Sequence, residues 1–357
     1  MIRLIRPYIS FTEVATELEE ILDSGILTKG PYSKQLPALA QAYTGASHAF
    51  LTTSATTALT MCLKHLEVGP GDEVVLSDFS FPATANVVED LGAVPVFADV
   101  SPDTFNMTAE ALESRISSKT KAVIFVDAAG NPSGLERIKA VCNERSIALV
   151  EDAACALGSS VGKRKVGTIA DFTCFSLHPR KLLTGGEGGI IATNNDDAAK
   201  ELRLKLSHGA DETMDFVTFG YNYRMPEISC LLACKQFEKL DTIIAERQTQ
   251  MAEYTRLLEP LGFKAQLVEP GHVHNVQSVV FKVPKGVSRP ILSAQLKQHS
   301  IETTLGTYCL SACSYYREKY NDVQPVAYAL QETTICLPCY SGVPVAEICD
   351  AIANSLR

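Results

Sequence analysis

The sequence has no apolar stretch long enough to cross a membrane, since none of its hydrophobic runs reaches the roughly 18 residues that a spanning helix needs. Its opening residues, MIRLIRPYIS, also lack the apolar core of a secretory signal. From these two absences we expect a cytosolic (cytoplasmic) protein with no membrane partner.

Positive charge is also scarce. The chain has 32 Lys and Arg against 41 Asp and Glu, a formal net charge of −9, which argues against nucleic acid as the main partner. No G-x-G-x-x-G follows a predicted strand, and this absence disfavours dinucleotide binding. Local basic pockets for phosphorylated ligands remain compatible with the composition.

The chain does contain a repeating pattern of apolar strands and amphipathic helices. With 357 residues, 46% of them hydrophobic, it is long enough for two domains with large cores. Stretches such as DEVVLSDFSFPATANVVEDLGAVPVFADV alternate strand and helix, which is typical of an α/β domain with a mostly parallel sheet. We predict a large α/β domain over residues 1–240, including an N-terminal arm and helix over 1–25. A linker helix and a smaller α+β domain are predicted over 241–357.

Some elements can be placed more closely. A polar helix is predicted from about Phe11 to Ser24, and the stretch from PEISCLL to LLEPL predicts one or two long helices. In the C-terminal part, SVVFKV, IETTL and TTICLP predict short strands, and PILSAQLKQHS predicts a helix.

Eleven cysteines are many for such a chain. Most lie in apolar runs, where a buried, reduced thiol is the expected state. Cys309 and Cys313 together with Cys336 and Cys339 could form a structural zinc site, although alternate residues of a strand at TTICLPCY would face opposite sides. We expect no metal and retain zinc as an alternative.

Polar residues follow several of the predicted strands. Asp152 follows IALVE, Ser54 and Thr56 lie in TTSATTAL between a strand and a helix, and 176–181 follows DFTCF. In open α/β sheets, ligands bind beyond the carboxyl ends of the strands, and a hydroxyl-rich helix start suits a phosphate. Each feature also has a structural explanation, as a helix cap or as a solvated lysine.

An amine, a carboxylate and a phosphate site occur together in the chemistry of pyridoxal 5'-phosphate (PLP). A lysine forms the Schiff base, a carboxylate pairs with the pyridinium nitrogen, and hydroxyl and backbone donors hold the phosphate. Lys181, Asp152 and the hydroxyl-rich turn at Ser54 would fill these three parts.

At this point the sequence resembles the DegT/DnrJ/EryC1/StrS family of sugar aminotransferases, over nearly its whole length. The matching motifs are TSATTAL, VGPGDEVVL, SFPATANVV, LGAVPVFADV, VEDAACALGSS, FSLHPRKLLTGGEGG, GYNYRM and QFEKLD. The resemblance implies the PLP-dependent transferase type I fold, in which a mostly parallel mixed sheet is sandwiched by helices and a smaller C-terminal domain follows. It also implies homodimers with shared active sites.

The resemblance implies a role for each matching residue. Lys181 would be the Schiff-base lysine and Asp152 the partner of the pyridine nitrogen. The remaining cofactor contacts would be Ser54, Ala55, Thr56 and Ser176 at the phosphate, Phe81 stacked on the ring, Cys155 nearby, and Asn222 reaching the phosphate in the neighbouring subunit.

This chain departs from the family pattern at several positions. Ala55 replaces the glycine of the usual Ser-Gly-Thr, and Cys155 replaces a frequent glutamine. Asp127 and Ala129 stand where a histidine and an aromatic residue are common. Lys181 is retained, whereas a histidine replaces it in the family's dehydratases, so a dehydratase is disfavoured. His178 and Arg180 are expected to be supporting residues.

The lysine loop also indicates which carbon is aminated. Family members that act at C4 tend to carry GEGG after a histidine-containing lysine loop, and C3 enzymes more often carry GDGG; SLHPRKLLTGGEGG follows the first pattern, with Gly185 where a threonine is frequent. We expect a nucleotide-linked 4-keto-6-deoxyhexose as acceptor and glutamate as donor, with Arg224 a candidate for its carboxylate. Amination at C3 or of another keto sugar or cyclitol, and a non-catalytic protein with a zinc site, are the alternatives.

Overall fold

A computed structural model describes residues 1–356. Its α-helices are α1 (Ala15–Ser24), α2 (Pro31–Thr44), α3 (Ala55–His65), α4 (Ala83–Asp90), α5 (Ala109–Arg115), α6 (Leu135–Arg145), α7 (Asp196–Lys205), α8 (Glu227–Phe237), α9 (Leu240–Leu258), α10 (Arg289–Gln298), α11 (Ser314–Tyr320), α12 (Pro325–Thr333) and α13 (Val345–Ser355). Short 3-10 turns lie at Phe11–Glu13, Ala128–Gly130, Glu259–Leu261 and Leu310–Ala312.

The strands form one large sheet and several smaller ones. They are β1 (His48–Thr52), β2 (Glu73–Ser77), β3 (Phe79–Ser80), β4 (Val94–Ala98), β5 (Thr120–Val126), β6 (Ala148–Asp152), β7 (Ser160–Val161), β8 (Arg164–Lys165), β9 (Phe172–Ser176), β10 (Gly189–Thr193), β11 (Lys264–Ala265), β12 (Val279–Lys282), β13 (Thr304–Leu305), β14 (Tyr308–Cys309) and β15 (Thr334–Leu337). The large sheet has seven strands in the order β1-β10-β9-β6-β5-β2-β4.

The large sheet is parallel except around β10, which pairs antiparallel with both β1 and β9. Its central strands are apolar runs buried on both faces, as expected when helices cover both sides of a parallel sheet. Because β1 and β9 both run antiparallel to β10, they share one direction. The carboxyl ends of β1, β5, β6 and β9 therefore meet at one edge of the sheet.

A second, four-stranded sheet lies in the C-terminal part, in the order β11-β12-β15-β13 with antiparallel pairing. A separate buried cluster covers it, built from apolar residues of this sheet and of α9, α10 and α13. The pairing of β14 with β3 joins this part to the segment that directly follows β2 of the large sheet. Asp78 strengthens this connection between the two parts of the chain. Its carboxylate accepts hydrogen bonds from the Ser311 amide at 2.7 Å and the Ser311 hydroxyl at 2.6 Å.

The predicted α/β fold with a mostly parallel mixed sheet and a smaller α+β part is confirmed. The seven-stranded sheet falls within 1–240 and the four-stranded sheet within 241–357, although the domain boundary itself stays a prediction. At the N-terminus the arm reaches the C-terminal part, where Ile2 bridges to Ile301. The helix predicted from Phe11 to Ser24 is divided at Val14, whose φ of −131° is not helical.

Two of the four cysteines considered for zinc, Cys309 and Cys339, are engaged elsewhere. The Cys309 thiol donates to the Asp78 carboxylate at 3.1 Å, and the Cys339 thiol donates to the Gln250 side chain at 3.2 Å. Over residues 1–356, no group of three or more His, Cys, Asp or Glu side chains is arranged to hold a metal ion. In the same range, no helix has the length and apolarity required to cross a membrane.

Candidate active site

Asp152 is the last residue of β6 and lies at the carboxyl edge of the large sheet, 6% exposed. Its Oδ2 accepts a hydrogen bond from the Thr84 hydroxyl at 2.8 Å, and its Oδ1 accepts one from the Ala154 amide at 3.2 Å. Burial raises the pKa of Asp152, while the Thr84 hydrogen bond and the charge of Lys181 act to lower it. The carboxylate is therefore fixed in position and balanced by a nearby cation.

Lys181 lies in the loop between β9 and β10, which we call the lysine loop (residues 176–189). The loop begins as a tight turn, in which the Lys181 amide donates to the His178 carbonyl at 2.8 Å and the Arg180 amide donates to His178 Nδ1 at 3.2 Å. The Lys181 amine donates to the Cys155 thiol at 3.1 Å. The turn thus directs the amine towards the end of β6.

Gln277 holds the lysine loop from the C-terminal side. Its side chain accepts from the Leu182 amide at 2.6 Å and donates to the Arg180 carbonyl at 2.8 Å, so it clamps the main chain on both sides of Lys181. Arg247 of α9, fully buried, in turn donates to the Gln277 carbonyl at 2.8 Å. Sequence reasoning missed Gln277 because nothing in its local pattern distinguishes it. Thr84 was also missed as a contact of Asp152, although it lies in the SFPATANVV motif.

A cavity of about 210 Å³ brings together four of the predicted site residues, namely Asp152, Lys181, Cys155 and Phe81. Its large-sheet side also includes Asp127 and Ala129. The opposite side comes from the C-terminal part and from the N-terminal arm, through Gly306, Leu337 and Leu4 among others. The cavity lies beyond the carboxyl ends of the strands, where ligands bind in open α/β sheets.

Ser54, Ala55, Thr56 and Ser176 lie along the same edge but outside the lining of this cavity. Thr52 at the end of β1 pairs with Gly189, which pairs with Ser176 at the end of β9. A Cβ at Gly189 would lie 2.5 Å from the Ser54 carbonyl group, so only glycine lets the chain pass this close. The start of α3 and the end of β9 are therefore held within about two strand spacings, roughly 10 Å.

Ser54 caps α3, and its hydroxyl accepts a hydrogen bond from the Thr57 amide at 3.1 Å. The structural explanation as a helix cap is therefore correct for Ser54. It does not exclude ligand binding, because the next amides of the first helical turn, together with the exposed Thr56, face outward from a positive helix end.

Asn222 is exposed and does not line the cavity of its own chain. Its side-chain oxygen accepts a hydrogen bond from Arg224 Nε at 3.0 Å. It closes a segment, residues 207–222, that we call the outer segment. Within it Met214, Phe216 and Phe219 are 61%, 65% and 64% exposed.

Three of the departures from the family pattern, Cys155, Asp127 and Ala129, line the cavity. The Cys155 thiol accepts from the lysine amine where an amide would otherwise lie, and Ala129 adopts a left-handed φ of 58°. At Gly185 a threonine would not fit, because a Cβ there would lie 2.6 Å from Met225 Cε and 2.8 Å from the Ser229 carbonyl oxygen. Met225 and the start of α8 therefore explain why this position is glycine.

The residues present fit PLP. A fixed, buried carboxylate suits a pyridinium nitrogen, an amine on a clamped loop suits covalent attachment, and a capped helix start suits a phosphate. Phe81, 65% exposed and packed edge-on against Tyr308, supplies an aromatic face at the cavity.

Solved structures of known proteins share this architecture. The aminotransferase TlmJ from Streptoalloteichus hindustanus is 29% identical, with a TM-score of 0.94 over 100% of this chain and 99% of that one. Spr1654 from Streptococcus pneumoniae, solved in PMP and PLP forms, is 28% identical, with a TM-score of 0.92 for the PMP form over 98% of each chain. PseC from Helicobacter pylori, an aminotransferase involved in the biosynthesis of pseudoaminic acid, is 25% identical, with a TM-score of 0.90 over 99% of this chain and 98% of that one.

The seven-stranded sheet, the site residues at its carboxyl edge and these structural likenesses together define a PLP-dependent aminotransferase of fold type I. The family comparison is more specific. The model of the DegT/DnrJ/EryC1/StrS aminotransferase family matches residues 10–357, and the chain belongs to that family. It is therefore a PLP-dependent sugar aminotransferase.

Proposed function

We propose that this sugar aminotransferase transfers an amino group from glutamate to C4 of a nucleotide-linked 4-keto-6-deoxyhexose, giving the 4-amino sugar. The supporting observation is the lysine loop, whose histidine and GEGG run follow the pattern of family members that act at C4. His178 Nε2 lies 3.9 Å from the Glu187 carboxylate. His178 and Glu187, the two residues that distinguish this pattern, therefore lie close together in the lysine loop beside Lys181.

At the cofactor, Lys181 is the residue that binds PLP covalently and Asp152 pairs with the ring nitrogen. When bound, PLP supplies an electron sink for the carbon that loses its proton. Asp152, held by Thr84, maintains the charge opposite that nitrogen, and the Lys181 amine takes and returns the proton. Phe81 would offer its aromatic face to the ring, and Cys155 would lie nearby.

The cofactor phosphate is held at the helix start and the adjoining strand end. Ser54, Ala55, Thr56 and Ser176 supply the donors on one subunit, and Asn222 of the neighbouring subunit completes the site. This arrangement is supported by the closeness of α3 to the end of β9 through Gly189, and by the exposure of Asn222 away from its own cavity.

The same proposal makes the enzyme a homodimer with shared active sites. The exposed apolar side chains of the outer segment favour burial against a second copy, because a contiguous apolar surface of this kind marks an interaction site. Arg224, bonded to Asn222, is our candidate for the glutamate carboxylate.

The position of amination is tested by supplying the 4-keto and 3-keto isomers of a nucleotide-linked 6-deoxyhexose, each with glutamate, and locating the new amine by NMR. We expect the 4-amino product to dominate. A predominant 3-amino product, or turnover of a cyclitol ketone alone, would establish an alternative substrate class. Metal analysis beside an absorbance spectrum of the purified protein separates both from the zinc-bound, non-catalytic alternative.

Shared sites are tested by mixing two inactive variants, Lys181→Ala and Asn222→Ala, after reversible subunit exchange. A mixed dimer contains one site with both native residues, so random exchange should restore about a quarter of the wild-type sites. Absence of recovery, with exchange verified by mass, would place Asn222 in its own subunit's chemistry or outside the site.

A further inference from the structure

Two fully buried carboxyl groups lie next to Asp152 and have no part in the chemistry described above. Glu151 precedes Asp152 in β6, and Asp127 directly follows β5; both are 0% exposed. Neighbouring residues of the two strands are in register, with Val126 opposite Asp152 and Phe125 opposite Glu151. The Asp127 amide donates to the Asp152 carbonyl at 3.3 Å, so the two carboxyl groups lie at the junction that positions Asp152.

These carboxyl groups are short of hydrogen-bond donors. Glu151 Oε2 accepts from the Thr173 hydroxyl at 2.7 Å. Over residues 1–356, no N–H or alcohol O–H donor reaches Glu151 Oε1 or either carboxyl oxygen of Asp127. Buried acceptors without a donor are costly, and buried charges without a partner are more so.

The in-register pairing of β5 and β6 puts these two buried carboxyl groups at neighbouring positions. Burial raises the pKa of both groups, and their mutual hydrogen bonding acts to raise the pKa of Asp127 further and to lower that of Glu151. Two ionised carboxylates offer only acceptors, so this contact can be a hydrogen bond only when one of them carries a proton. A single shared proton supplies the missing donor and removes one of two like charges.

We propose that Asp127 and Glu151 share one proton and form a positioning pair for Asp152, joining the ends of β5 and β6 beneath the cavity. The pair leaves Asp152 as the charged member of the three carboxyl groups, opposite Lys181. A histidine, which is common at position 127 in this family, could not form such a pair of carboxylic acids. The shared proton therefore depends on the aspartate that this chain carries at position 127.

The groups that face Asp127 and Glu151 include no positive charge, and this favours a proton on the pair. Asp127 is next to Glu151, Asp152 and Cys155, and none of these is a cation. Glu151 faces Thr173, Asp127 and Asp152. Burial and these acidic neighbours raise the pKa of Asp127 well above its ordinary value, and burial raises the pKa of Glu151 to about 7.

The shared proton predicts a specific pH dependence of stability. In the unfolded chain Glu151 titrates near its ordinary value of 4.5, and in the folded protein near 7. Between these values the folded state holds a Glu151 proton that the unfolded state has released, so the Glu151 contribution to stability is full below 4.5 and is lost as the pH rises through 7. Once Glu151 has ionised, the proton that the two groups share is the one on Asp127, whose pKa is raised by burial and by the contact with Glu151.

The test compares Asp127→Asn with Asp127→Ala. The asparagine amide donates to Glu151 without a titrating proton, whereas alanine leaves Glu151 Oε1 without a donor. From urea unfolding of the cofactor-free protein across this pH range, the slope of stability against pH should show about one proton fewer held by folded Asp127→Asn than by wild type. The infrared carbonyl band of a protonated carboxylic acid should be present in wild type at neutral pH and weakened in Asp127→Asn.

Activity provides a separate readout, which rests on the proposed role of Asp152. Asp127→Ala should lower kcat about tenfold, the effect of one lost buried hydrogen bond, and Asp127→Asn, which keeps a donor to Glu151, should lower it less. A wild-type protein without the acid band, or an Asp127→Asn variant with an unchanged pH slope, would overturn the shared proton. If the band and slope are as predicted while Asp127→Ala keeps full activity, the pair exists but does not position Asp152.

Discussion

The lysine loop and the outer segment belong to one chain but differ in where their side chains point. Those of the lysine loop make contacts within the subunit, and those of the outer segment face outward. In the lysine loop, Gln277 clamps the backbone and Cys155 receives the amine, all within one subunit. In the outer segment, Phe216 and Phe219 project their rings outward with about two thirds of each residue exposed.

Under the proposed function, this difference separates the half of the site that one subunit builds alone from the half that a second subunit completes. Covalent attachment of the cofactor needs groups already fixed around Asp152 and Lys181, whereas the phosphate side ends at residues that face away from their own cavity. We therefore expect variants of the first region to abolish chemistry without changing assembly. Variants of the second region should alter assembly first and activity as a consequence.

The largest effect is expected for Lys181→Ala. Loss of the amine that binds the cofactor and moves the proton should lower kcat by at least about 10³-fold, near the upper range for a general acid–base group. Steady-state kinetics and the cofactor's visible absorbance measure this loss, and light scattering should show unchanged assembly. Lys163→Ala, at an exposed lysine of the β7–β8 turn, is the matched control. Turnover by the Lys181→Ala variant at a rate close to wild type would refute the role of this lysine.

Asp152→Asn should lower kcat by about 10²-fold, because the amide keeps the shape but removes the charge opposite the ring nitrogen. Thr84→Val, which removes the hydroxyl that is bonded at 2.8 Å to both Asp152 and the Ser80 hydroxyl, should cost about tenfold. Kinetics of both variants at saturating cofactor measure the two losses. If Thr84→Val were the more harmful change, the hydroxyl rather than the carboxylate would be the main contact of the cofactor.

The double variant Phe216→Ser/Phe219→Ser should shift the protein from dimer to monomer and lower activity in parallel with the loss of dimer. Analytical ultracentrifugation at several concentrations measures the shift. Phe11→Ser removes an equally exposed ring, 72% exposed, from another part of the surface and should change neither property. A fully dimeric double variant would show that the interface lies elsewhere.

The smallest effect is expected for Gly185→Thr, which restores the residue common in the family. Contact with Met225 and the Ser229 carbonyl should destabilise the protein by about 1–3 kcal/mol, the usual range for overpacking. Gly69→Ala, where an added Cβ has open space around it, should stay within about 0.5 kcal/mol of wild type. Urea unfolding compares the two, and equal stabilities would mean that the lysine loop relaxes freely.

The sequence predicts the lysine loop better than the contacts that hold it. The β–α alternation and the apolar runs predict the sheet, and the polar residues after its strands predict the edge where Asp152 and Lys181 meet. Gln277 was not predictable, because it reaches Leu182 from 95 residues away in the chain and nothing local marks it.

The pairing of Asp127 with Glu151 was also not predictable from the sequence. Glu151 ends an apolar run in which every neighbour is buried, and Asp127 follows another such run. The register of β5 and β6, which sequence patterns do not determine, is what brings their carboxyl groups together. The roles of individual residues at the cofactor stay predictions, since they rest on motif positions and on the geometry described here.

The identity of the cofactor-binding lysine is the most direct test of the account. Borohydride reduction of the PLP-bound enzyme makes the bond between lysine and cofactor permanent, and peptide mass spectrometry then locates it. We expect one modified peptide, which carries the cofactor on Lys181. A cofactor adduct on another lysine, or none in an active enzyme, would contradict it.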